Sequence, residues 1–231
     1  MIGSDFDGEG GLGKVINSTL KGQWPKIKVD TYGVAGSNVA NWLWLAGSKG
    51  PQIKPGVMQR AIRKTGERIN PVILSEQGHD LVWINLATND AGVLSAPRFS
   101  EYAVNLIEMF PSAKAIVWTE GNMIPGEPLQ RKKLALLAAL AARLKVRMKT
   151  KRVEVFAAQS INKGEAYRKH ADRPIPRGSK LHPPVSVHNR WMVTAWPHIS
   201  SFVTQRCIVS FLQPLAALSG VAAAGYYLSS K

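Results

Sequence analysis

The sequence predicts an α/β chain: a central parallel sheet of about five strands with helices packed on both faces. Three observations carry this. Short apolar runs rich in β-branched and aromatic residues recur at 27–34, 81–86, 114–120 and 153–158. Such runs suit strands buried on both faces. Segments with apolar residues at helical spacing separate them, and strand–helix alternation is the signature of a parallel sheet. Finally, the runs end in turn chemistry such as Tyr32-Gly33-Val34-Ala35-Gly36-Ser37-Asn38 and Thr88-Asn89-Asp90. Open α/β sheets place their sites at the carboxyl ends of strands.

In chain order, only Met1 and Ile2 precede Gly3, so little of a first strand is expected. A glycine-rich turn (Gly8, Gly10, Gly11, Gly13) leads into a helix over 12–20. The strand 27–34 is followed by a helix carrying Trp42 and Trp44, and 49–55 is a Gly/Pro/Lys loop. Val57, Ala61, Ile62 and Ile69 give a basic helix that Pro71 ends or kinks. A helix over 97–110 presents Phe99, Ala103, Leu106, Ile107 and Phe110 on one face. The segment 128–148, rich in Leu, Ala, Lys and Arg, has the strongest helical character in the chain. A long loop over 159–184 precedes a helix over 187–195.

Charge narrows the partners. The 231 residues carry a formal charge of +15, with a pI near 10.2. Sixteen Lys and Arg against three acids fall between Arg131 and Arg190. An excess of this size suits an anionic partner such as an acidic polymer or lipid surface. No nucleic-acid motif accompanies it, which disfavours nucleic acid. The single Cys207 excludes an intrachain disulfide framework and a cysteine-based zinc site. No His and carboxylate spacing suggests a metal, so neither metal nor cofactor is expected.

Residues 207–228 carry no charge and lie between Arg206 and Lys231. About 20 apolar residues span a bilayer. Ala216, Gly220 and Ala224 repeat at four-residue spacing, and Tyr226 and Tyr227 stand where an aromatic belt would. The expectation is a membrane-associated C-terminal helix, against the alternative of a buried or amphipathic one. The division is then a domain over 1–199 and a hydrophobic helix within 200–231. No signal peptide is read at the N-terminus. A tail-anchored protein on the side of synthesis follows, otherwise cytoplasmic, and a virion with an internal membrane is one setting for it.

Four stretches in order carry the chemistry: Gly3-Ser4-Asp5, Gly33-Val34-Ala35-Gly36, Ala87-Thr88-Asn89-Asp90 and Leu181-His182-Pro183, with Trp191 nine residues after His182. Their order and spacing over roughly 1–199 resemble the SGNH (GDSL-type) hydrolases, a family of esterases, lipases and carbohydrate deacetylases. The resemblance implies a flavodoxin-like three-layer α/β/α sandwich. It implies Ser4 as nucleophile and His182 as general base. The backbone N–H groups of Ser4 and Gly36 and the Asn89 amide would form the oxyanion hole. Such a site needs a serine, a base and donors aimed at the developing oxyanion.

The chain departs from the family's pattern at named positions. The family reads Gly-Asp-Ser where this chain reads Gly3-Ser4-Asp5, so either Ser4 is the nucleophile shifted by one or Asp5 stands in its place. Ser179 occupies the position of the acid that would orient His182, with Asp172 as a substitute on the same loop. Ala87 replaces a glycine. Two functions are therefore expected. One is a serine hydrolase cleaving an ester or acetyl group on an anionic carbohydrate, cell-wall or lipid substrate. The other is a non-catalytic relative that binds through its cleft or basic face.

Other features are read as ordinary. Asn89 and Asp90 are equally suited to capping the next helix. Gly8 to Lys14 matches most of a phosphate-binding loop, but Val15 stands where Ser or Thr should hold Mg²⁺. His79, His170, His188 and His198 have no expected chemical partner.

Overall fold

The computed structural model describes residues 2–3, 12–34, 36–47, 70–119, 129–148, 152–156 and 185–208. In chain order these form β1 (Ile2–Gly3), α1 (Leu12–Gln23), β2 (Tyr32–Gly33), α2 (Val39–Leu45), α3 (Pro71–Glu76), β3 (Leu81–Asn85), α4 (Ala96–Glu108), β4 (Ala115–Thr119), α5 (Gln130–Arg147), β5 (Val153–Phe156) and α6 (Val185–Val203). A single π-helical turn, Thr204–Ile208, prolongs α6.

The chain is mixed α/β with a parallel sheet, as expected. Strands β3, β4 and β5 form its body, and β1 and β2 add two residues each in the order β2-β1-β3-β4-β5. All pairings are parallel; Asn85 lies beside Thr119 and Ile2 beside both Tyr32 and Ile84. Strand β4 is buried throughout, which explains its unbroken apolar run Ala115–Trp118.

Side chains alternate across the sheet. On one face Trp118 meets Phe99 of α4 edge-on at 5.9 Å between ring centroids. On the other, the Trp83 indole donates to Thr119 Oγ1 at 2.8 Å, and Thr119 donates to Asn85 Oδ1 at 3.0 Å. Helices α2, α4 and α5 pack in succession, whereas α1 packs against α6. Trp24, just beyond α1, meets Trp196 of α6 at 5.6 Å.

Several expectations are corrected. The strand expected over 27–34 pairs only at Tyr32–Gly33. Its neighbour is β1, and just Ile2 and Gly3 of β1 enter the ladder, so 27–31 has no strand beside it among the described residues. Pro71 opens a helix, a role the sequence reading did not give it; the helix it was expected to end or kink, over 57–69, lies outside the described residues. Pro71 sits at the first helical position after Asn70, whose side chain accepts from Val72 N at 2.8 Å. Helix α6 continues to Val203 through Pro197, well past the expected end at 195. Buried Ala195, Ile199 and Val203 hold it on the core, outweighing the proline's lost hydrogen bond.

The helix expected over 57–69, the loop 159–184 and the hydrophobic tail 209–231 lie outside the described residues. Among the described residues, no helix is long and apolar enough to cross a membrane.

Candidate functional site

The site is built at the carboxyl ends of β2 and β3, where two loops are fastened together. After β2, Ser37 N donates to Val34 O at 3.0 Å, closing a four-residue turn with Gly36 in its third position. Gly36 has φ of 76°, a conformation that costs an L-residue about 1–2 kcal/mol. That is the physical reason for glycine here.

The next residues lock the entry to α2. Asn38 caps the helix by accepting from Asn41 N at 2.9 Å, and Asn41 Oδ1 accepts from Asn38 N at 3.1 Å. This reciprocal capping box satisfies two otherwise orphaned donors. Ser37 Oγ accepts from the Trp42 indole at 3.1 Å. Ser37, Asn38, Asn41 and Trp42 are all buried.

The loop after β3 is a compact turn. Asp90 N and Ala91 N both donate to Ala87 O, and Val93 N and Leu94 N donate to Asp90 O. Two of its side chains reach the β2 loop. Asn89 Nδ2 donates to Ser37 O at 3.0 Å. Asp90 Oδ1 accepts from Val39 N, the first residue of α2, at 2.9 Å. Asp90 is fully buried.

Asp90 therefore caps a helix, but not the one that follows it. The N-cap of helix α4, Ser95, makes no side-chain cap bond. The carboxylate serves α2 instead, 51 positions earlier in the chain. The sequence reading missed this role because the partner is distant in sequence. The Asn38-x-x-Asn41 spacing was the local signal for α2's start.

Of the four expected site residues, Gly36 and Asn89 are brought to one edge of the sheet. Asn89 bonds the residue next to Gly36, and its amide carries a second N–H, which has no bond to the described residues. Ser4 and His182 lie outside the described residues. Gly3, immediately before Ser4, sits in β1 between β2 and β3, beside Gly33 and Asn85. Trp191 is buried in α6, as is His188, whereas His198 is exposed. His79 bonds Gln77 Oε1 at 3.0 Å on the surface.

Compared with known protein families, with curated proteins and with solved structures, the chain matches none.

The phosphate-loop alternative fails on packing. Val15 is buried in the core of α1 at the place where a Mg²⁺-binding hydroxyl would be required, and Lys14 points to solvent. Among the described residues, no group of three His, Cys, Asp or Glu could hold a metal ion.

An apolar cavity of about 860 Å³ lies at the opposite end of the sheet, lined by Leu20, Val29, Leu81 and Trp83 among others. None of Gly36, Ser37, Asn89 or Asp90 lines it, so size does not make it the site of the chemistry expected here. Cys207 stands in its wall and donates weakly to Asp80 O at 3.7 Å. Burial, helped by the Asp80 carboxylate and opposed by Lys114, pushes its thiol up to about 11. A thiol so protonated is a poor nucleophile.

Proposed function

We propose that the protein is a serine hydrolase of the SGNH type, cleaving an ester or acetyl group on an anionic carbohydrate, cell-wall or lipid substrate. One observation carries the reading: the Asn89 amide is bonded beside the Gly36 turn at the carboxyl end of the sheet. These are the residue types and the place that a two-loop oxyanion hole requires. The strand order 2-1-3-4-5 and the separate helix groupings α1/α6 and α2/α4/α5 support a flavodoxin-like three-layer sandwich as its frame.

In this mechanism Ser4 Oγ attacks the acyl carbonyl while His182 accepts its proton. The Gly36 and Ser4 N–H groups and the second Asn89 N–H stabilise the oxyanion. His182 then protonates the leaving alcohol, and water, deprotonated by the same imidazole, hydrolyses the acyl-serine. Arg131, Lys132 and Lys145, exposed on α5, favour a polyanionic substrate.

A fluorogenic acetyl ester assayed with the wild type, Ser4→Ala and His182→Ala tests the assignment. Loss of turnover in both variants is expected; equal activity in all three overturns it. The order Gly3-Ser4-Asp5 and the absence of an acid at Ser179 favour a second reading, a non-catalytic binding protein on the same frame. That protein would not be labelled by a fluorophosphonate probe, whereas the hydrolase would.

A further inference from the structure

The cavity of about 860 Å³ at the end of the sheet away from Gly36 and Asn89 has the size of a small-molecule site, roughly 300–1,000 Å³ being usual. Its walls come from the sheet and from both helix groups. Leu20 of α1 and Val203 of α6 belong to one group, Leu74 of α3 and Phe110 beyond α4 to the other, and Val82 and Trp83 to β3. All six are buried. None offers a ligand a side-chain donor or acceptor, because the Trp83 indole N–H is taken by Thr119 Oγ1 at 2.8 Å. Water against such walls finds few partners, and an apolar ligand displaces it without losing hydrogen bonds.

The mouth differs in kind. Ahead of β2, Ile27 and Val29 are partly buried while Lys26, Lys28 and Asp30 are exposed, the alternation of an extended segment with one face inward. All five border the cavity. Lysine stems can lie along apolar surface while the ammonium stays in water. The carboxylates at this rim are engaged: Asp80 pairs with Lys114 at 2.8 Å, and Asp30 has a partner of its own. His79 is bonded to Gln77. The Lys26 and Lys28 ammonium groups have no ion pair or hydrogen bond among the described residues. Positive charge is therefore what the rim leaves for a ligand.

We propose that the cavity binds the hydrocarbon tail of a single-chain anionic lipid, of which a fatty acid is the simplest, with its head group at Lys26 and Lys28. Apolar walls and a cationic rim are the two halves of the complement to such an amphiphile. The walls run along the sheet for three or four residues, 81–83 and 27–30, or about 10–13 Å at the rise of a strand. That length suits a tail of medium size. The site is independent of the hydrolase reading, whose residues lie at the other end of the sheet.

Decanoate, decanol and decyltrimethylammonium share one tail and differ in the charge of the head. Calorimetric titration of the full chain at low salt is expected to show one decanoate per chain. Decanoate should bind about tenfold more tightly than decanol, with the cationic amphiphile weakest. The double variant Lys26→Gln/Lys28→Gln, at exposed positions, should bring decanoate down to the affinity of decanol and leave decanol unchanged. Val29→Trp, which fills the cavity, should weaken both. No saturable decanoate binding by the wild type, or binding unchanged in Val29→Trp, overturns the site. Equal affinity for decanoate and decanol, or decanoate held as tightly by the double variant as by the wild type, overturns the anionic head group. A wild-type dimer in sedimentation that decanoate dissociates overturns the lipid in favour of a second copy of this chain.

Discussion

Asp90 and Val39, 51 positions apart, are joined by a buried hydrogen bond of 2.9 Å between a carboxylate oxygen and the first N–H of α2. The contact fastens the loop after β3 to the loop after β2. Asn89 makes the companion bond to Ser37 O, so two adjacent side chains fix one loop against the other. The amide is thereby held near the Gly36 turn rather than free to sample the solvent.

Replacing Asp90 with Ala should destabilise the protein by about 2–3 kcal/mol, because a buried N–H loses a charged acceptor. Asp90→Asn, which retains an Oδ1 acceptor, should cost less than half as much. Urea unfolding of both variants checks the order. Equal stability of Asp90→Ala and wild type would show that the bond holds nothing in place.

The chain Trp83–Thr119–Asn85 crosses from β3 to β4 through a single hydroxyl. Thr119→Val keeps the shape and removes both bonds, stranding the Trp83 indole and the Asn85 carbonyl in the core. A loss of roughly 1–3 kcal/mol is expected, with Thr119→Ser recovering most of it. Guanidinium unfolding followed by tryptophan fluorescence measures both.

On the hydrolase reading, Asn89→Ala should lower kcat by about 100- to 1000-fold with little change in KM, since the lost donor serves the developing oxyanion. Gly36→Ala should reduce both turnover and stability, the latter by about 1–2 kcal/mol, because φ of 76° disfavours any Cβ. A variant Asn89→Ala with full kcat would remove Asn89 from the chemistry.

Cys207 makes stability depend on pH at the alkaline end. Its thiol titrates near 9.0 when unfolded and is pushed up to about 11 in the fold. Between these values the native chain keeps a proton that the unfolded chain has released. The contribution is therefore complete below pH 9 and declines as pH rises through about 11. The wild type should lose more stability than Cys207→Ser between pH 8 and 11 in urea melts. Iodoacetamide should alkylate Cys207 slowly at pH 8 and rapidly once urea unfolds the chain; equal rates would contradict the shift.

The sequence by itself determined the alternation of strands and helices, because each rests on local periodicity. The apolar runs at Leu81–Asn85 and Ala115–Thr119 are strands. The faces read on α4 and the helical character of 128–148 became buried contacts. It also marked Gly36 and Asn89 as residues of interest, since turn chemistry after a buried strand is visible without coordinates. Tertiary structure alone decided three things. Asp90 caps α2 across a sequence separation no local pattern encodes. Pro197 is tolerated inside α6 because the buried residues on both sides of it outweigh one lost backbone bond. And of 27–34, β-like in composition, only Tyr32 and Gly33 pair, because a strand exists only where a neighbour supplies its hydrogen bonds.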